Sequence, residues 1–146
     1  MKSTYEAPAP GAFVILKGGR KMIDFKTATV FKLKPGNVDD IMQVVVPMLI
    51  EGETVFAAFQ GVRDKVVFTT KRIIAVNVQG FTGKKKDFTS LPYSKIQAFS
   101  VETAGTFDLD CEMELYFSGL GQVRFEFTGG FDIIRFNKII SEYVLR

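Results

Sequence analysis

Apolar and polar residues along this chain alternate with two different periods, and the change of period divides it. Between Asn37 and Ile50 the apolar positions Ile41, Val44, Val45, Met48 and Leu49 fall at i, i+3, i+4, i+7 and i+8. That is one stripe of an amphipathic helix. Asn37 can cap it, and Asp39 and Asp40 sit in the first turn, where the helix dipole favours negative charge. Pro47 removes a backbone donor inside the pattern, so a bend or an early stop is expected there. Glu51-Gly52 closes the segment.

From Thr54 the period becomes two. Thr54–Gln60 and Val62–Thr69 make a strand pair around Gly61, with Val66 and Phe68 on one face and Val67 and Thr69 on the other. Arg72–Gln79 follows, with Ile74, Val76 and Val78 on one side. Gly80 and Gly83 frame a turn into Lys84–Ser90, which Pro92 stops; a short turn over Tyr93–Ile96 leads to Gln97–Thr103. Cys111–Phe117 alternates cleanly, with Cys111, Met113, Leu115 and Phe117 inward. After Gly119-Leu120-Gly121, Val123, Phe125 and Phe127 point in while Arg124 and Glu126 point out, and Glu114 is placed to pair with Arg124 across the hairpin. A terminal helix begins at Asp132, with Ile133, Phe136, Ile140 and Tyr143 on one stripe. Seven short strands followed by one amphipathic helix predict a mainly β fold: a strongly bent antiparallel sheet or partly open barrel, closed by the helix.

Residues 1–34 read differently. Positions 1–11 are an extended leader with Pro8, Pro10 and Gly11, and Phe13–Leu16 and Lys21–Leu33 have strand composition around Gly18-Gly19, which permits a hairpin. We divide the chain into a basic N-terminal extension, 1–34, and a domain, 35–146.

Composition narrows the function. The 146 residues suit one domain. The longest apolar run, Val44–Ile50, is far short of the roughly 20 residues a spanning helix needs, and Phe13–Leu16 is too short for the core of a signal peptide. One cysteine, Cys111, excludes an internal disulfide and fits a reducing cytoplasm. The net charge of +3 is unevenly spread: residues 1–36 carry seven basic and two acidic groups, and the rest carries 12 basic and 14 acidic groups. There is no histidine, so the usual neutral-pH base and the commonest metal ligand are both missing. Asp108 and Asp110 share a strand face but lack the oxygen-rich loop that calcium requires. Cys111, between apolar positions, reads as a buried thiol, and Ser90 and Ser94-Lys95 have no base or oxyanion signature around them. No enzyme activity, metal or cofactor is expected.

The run Arg63-Asp64, VVFTTKRII (66–74), VQGFTGKKKDFTSLPYSKI (78–96) and FSVETAGTFDLD (99–110) resembles the bacterial pleckstrin-homology-like domain family. The likeness covers Pro35–Leu145, from a leading helix ending in LIEGE (49–53) to a terminal helix ending in EYVL (142–145). It implies a seven-stranded bent sheet closed by a C-terminal helix. It also implies self-association, since members form ring-like homo-oligomers. In eukaryotic phosphoinositide-binding relatives the basic residues sit in a long loop between the first two strands. Here that connection is the short Gln60-Gly61-Val62-Arg63, so phosphoinositide recognition is not expected.

Two kinds of surface feature remain. Loop phenylalanines Phe81 and Phe107, with the charged pair Arg63-Asp64, are candidates for a subunit interface, or for an unidentified protein partner. Lys84, Lys85 and Lys86 beside Gly83 form a candidate anion site, which with the basic arm suits a membrane surface or nucleic acid. Glu102-Thr103 reads as an exposed rung.

Overall fold

The structure, a computed structural model, describes residues 29–79 and 82–146. Eight strands form one continuous sheet: β1 (Thr29–Pro35), β2 (Val55–Gln60), β3 (Asp64–Thr69), β4 (Arg72–Gln79), β5 (Lys85–Pro92), β6 (Ile96–Glu102), β7 (Cys111–Phe117) and β8 (Gly121–Phe127). Helix α1 (Val38–Val45) joins β1 to β2, and helix α2 (Ile133–Val144) follows β8.

The strand order is β5-β4-β3-β2-β1-β8-β7-β6. The bent sheet closed by a C-terminal helix is as expected, but the strand count is eight rather than seven. The added strand is β1, which lies between β2 and β8 and joins the two halves of the sheet. It runs antiparallel to β2 only at Lys34↔Gln60 and Pro35↔Phe59, and parallel to β8 from Thr29↔Val123 to Leu33↔Phe127. The sheet is therefore not wholly antiparallel. A chain that leaves β1 through a helix cannot make a tight hairpin with its successor, so β1 takes a second partner from the far end of the sequence. Of Lys21–Leu33, the residues from Thr29 onward lie in this strand; Phe13–Leu16 and Gly18-Gly19 fall outside the described residues.

Two cores flank the sheet. The larger is built on the inward positions of all eight strands and α2, including Leu33, Phe59, Phe68, Ile73, Met113, Leu115, Phe125, Phe127 and Ile140. Phe68 sits at its centre, with ring centroids 4.8 Å from Phe136, 5.5 Å from Phe125 and 5.8 Å from Phe59. Each such edge-to-face pair adds about 0.5–1.5 kcal/mol beyond area burial. The smaller core lies on the opposite face, where Ile41 and Val45 of α1 cover Val67, Ile74 and Val76. This explains the unbroken buried runs Val66–Thr69 and Ile73–Val76, since strands covered on both faces need apolar residues at almost every position.

The Asn37 side chain accepts a hydrogen bond from the Asp40 amide, capping α1 as expected. The helix stops at Val45, and Val46–Met48 tighten into a 3-10 turn at Pro47. The tighter turn rotates Met48 off the expected stripe: Ile41 and Val45 are buried, but Met48 is exposed.

Candidate interaction surface

The β6–β7 loop spans eight residues, Thr103 to Asp110, and is braced from within. The Gly105 amide donates to the Asp108 carbonyl at 2.7 Å, and the Asp110 amide donates to Asp108 Oδ1 at 3.0 Å. This turn presents Phe107 with its side chain 100 % exposed. Leu109, two residues on, is mostly exposed and leans on the β8–α2 loop: a Cβ built at Gly129 would stand 3.2 Å from Leu109 Cβ. A side chain at 129 would crowd this approach of the two loops unless Leu109 gave way by a few tenths of an ångström.

Beside that contact lies a cleft of about 140 Å³ at the join of the two half-sheets. Its floor is aromatic: Phe59 of β2, Phe127 at the end of β8, and Phe131 before α2, with Leu33, Pro35 and the backbone of Thr128–Gly130 as walls. Phe127 and Phe131 stack at 4.3 Å, and Phe59 meets them edge-on at 5.1 and 5.6 Å. The Thr128 amide bonds the Leu33 carbonyl at 3.1 Å and fixes the wall against β1. Lys34, exposed at the end of β1, is the charged residue of the lining.

Arg63, Asp64 and the three lysines occupy neighbouring turns elsewhere. Arg63 belongs to the β2–β3 turn and Asp64 opens β3. The Val78 amide donates to the Arg63 carbonyl at 3.2 Å, which ties this turn to the end of β4. Val62 at its tip is 92 % exposed. Lys84 precedes β5, Lys85 and Lys86 pair with Gln79 and Val78 across the β4–β5 hairpin, and Lys85 and Lys86 are exposed. No ion pair among the described residues involves these three lysines. Phe81 lies outside the described residues. The structure thus brings Arg63-Asp64 and Lys84–Lys86 to one pair of turns, while Phe107 stands apart on the β6–β7 loop.

The outer face of β6, β7 and β8 is acidic. In register across the strands, Glu102, Glu112 and Glu126 form one row, and Lys32 of β1 extends it. The expected Glu114–Arg124 pair is present at 2.9 Å, and Arg124 reaches Glu112 at 3.7 Å. A hydrogen bond from Tyr116, then Arg124, holds the Glu114 carboxyl below its ordinary value. Burial pushes the Glu112 carboxyl up; Arg124 opposes this, and Glu102, Glu126 and Glu114 add to it.

The remaining polar candidates have structural roles. Cys111 is buried in the main core, and burial, with the Asp110 charge, pushes its thiol up and away from the reactive thiolate. Ser90 accepts a hydrogen bond from Arg72 Nη1 at 2.8 Å. No group of three or more metal-type side chains is assembled among the described residues. No described helix is long and apolar enough to cross a membrane.

Sequence reasoning missed a polar knot below the first half-sheet. Arg72 donates from Nε to Glu53 Oε2 at 2.9 Å and from Nη2 to Glu53 Oε1 at 3.0 Å and the Met48 carbonyl at 2.7 Å. Thr69 Oγ1 donates to Glu53 Oε2 at 2.6 Å, and the Ile50 amide donates to Oε1 at 3.1 Å. Tyr93 Oη donates to the Thr69 carbonyl at 2.8 Å beside it. This knot pins the exit of α1 to the β3–β4 hairpin. Glu53 next to Gly52 gives no sign in sequence beyond a helix end.

Residues 24–144 match the family model described as Bacterial PH domain. The Bacillus subtilis (strain 168) protein YjqA is 54% identical over 79 residues, which cover 54% of this chain and 63% of that protein. YozO of the same organism is 30% identical over 97 residues, covering 66% of this chain and 83% of its own. Among solved structures, a DUF1696 family protein with a pleckstrin-homology domain from Shewanella loihica PV-4 superposes with a TM-score of 0.65 at 37% identity. The match covers 78% of this chain and 98% of that one. A pleckstrin homology domain from Shewanella amazonensis SB2B gives a TM-score of 0.57 at 40% identity, covering 75% and 100%.

Proposed function

Because the chain belongs to the bacterial PH domain family, we propose that it works as a non-enzymatic interaction module whose first partner is another copy of itself, in a closed, ring-like homo-oligomer. One observation carries this reading. Phe107 is wholly exposed on a loop whose own hydrogen bonds hold it out, and an aromatic ring presented in this way gains nothing for a monomer. Large aromatic side chains that become buried on association are the usual energetic centres of interfaces. Val62 and Arg63, with Asp64 beside them, add a second site on the β2–β3 turn.

A second reading has an observation of its own. Lys84, Lys85 and Lys86 stand together beside Gly83, which adopts a positive φ of 67°. Three ammonium groups on one turn attract an anionic surface, whether lipid headgroup or nucleic acid. Salt separates the two, because charge-driven binding collapses as ionic strength rises and an apolar contact persists.

The test is size-exclusion chromatography with light scattering at about 50 mM and about 1 M salt. A multiple of the 16.3 kDa chain mass at both concentrations supports the self-association reading. A monomer at both overturns it.

A further inference from the structure

We propose that Phe107 of one copy seats its ring in the aromatic cleft of a second copy, with Asp108 meeting that copy's Lys34. This deepens the self-association reading and rests on it, adding the receiving half of the contact. Three observations point to it.

The first is fit. A closed apolar cavity of about 150 Å³ accepts a benzene ring, and this cleft offers about 140 Å³ over Phe59, Phe127 and Phe131. Phe131, the half-buried ring of the three, is the one an incoming phenyl group can meet edge-to-face or offset-stacked. The second is charge. Asp108 follows Phe107 directly, its Oδ1 is held by the Asp110 amide, and the carboxylate rides at the same loop tip. Lys34 is the cation of the cleft wall. A phenyl ring followed by a carboxylate therefore meets an aromatic cleft whose lining includes a lysine.

The third is placement. Leu109 touches the Gly129 wall of its own cleft, so knob and socket sit side by side on one molecule, yet Phe107 stays fully exposed and leaves its own socket open. Each copy carries both halves of the contact. A head-to-tail contact of this kind closes into a ring when the rotation per copy allows.

The experiment is a charge exchange followed by sedimentation velocity. Phe107→Ala alters no intramolecular side-chain packing and should raise the dissociation constant at least about 30-fold, the scale of an interface hot spot. Lys34→Glu and Asp108→Lys should each weaken assembly alone, since each places like charges in every contact. Mixed one to one, the two variants should reassemble. The socket of the Lys34→Glu chain then accepts the knob of the Asp108→Lys chain, and the native socket of the latter accepts the native knob of the former. The double variant in one chain should reassemble as well.

A wild-type oligomer that Phe107→Ala leaves at the same mass and affinity overturns this contact while the self-association reading stands. A Lys34→Glu chain that assembles as tightly as the wild type overturns the pairing with Asp108 too. A wild-type monomer overturns both.

Discussion

Glu53 shows how much one side chain decides. Burial alone would push its carboxyl up, but hydrogen bonds from Arg72, Thr69 and the Ile50 amide, with the Arg72 charge, hold it at about 2. The unfolded carboxyl titrates near 4.5, so the charged form favours the native state. Its stabilisation is complete above about pH 5 and drains away as the pH falls toward 2. The shift corresponds to about 3 kcal/mol. Glu53→Gln should therefore lower unfolding free energy by about that much at pH 7, and the gap from the wild type should narrow between about pH 5 and pH 2. Urea denaturation across that range measures both. This residue is not legible in sequence, because its partners Arg72, Thr69 and Ile50 converge only when the β3–β4 hairpin folds onto the exit of α1. Cys111 is legible, since period-two alternation with Met113 and Leu115 fixes the face it takes.

The elements divide in the same way. The β7–β8 hairpin, its inward rows and the Glu114–Arg124 pair follow from alternation and a tight glycine turn, both local. The first half-sheet follows only in part. VVF and IIAV read as strands, but the need to bury both faces becomes clear only once α1 is seen on the outer one. That gives a prediction at this scale. Ile41→Ala opens a cavity against Val67, Ile74 and Val76 and should cost about 3 kcal/mol. Val46→Ala, just beyond the helix on an exposed position, should stay within about 0.5 kcal/mol. Thermal or denaturant unfolding of the two side by side tests whether α1 is an integral part of the fold rather than an appendage.

For the whole molecule the fold class is legible, but the count and the closure are not. Eight strands appear instead of seven because β1 lies in a stretch whose glycines and charges read as an extension, and its main partner is the last strand of the sheet. No local pattern announces a parallel pairing between segments so distant in sequence. The candidate surface is half legible: Phe107 stands out as a phenylalanine in a turn, whereas the cleft forms only where β1, β2, β8 and the start of α2 meet.

That late partner of β1 matters while the protein is being made. β1 leaves the ribosome well before β8, and Phe31 and Leu33 must wait for that strand before their inward faces are covered. At about 5–20 residues per second the wait is on the order of ten seconds. During it the nascent chain exposes an apolar strand whose main ladder partner is still missing. Protease resistance of β1 in chains stalled behind an added C-terminal linker should appear only once the linker is long enough for Phe127 to clear the exit tunnel. Resistance arising earlier would mean that β1 docks on β2 alone.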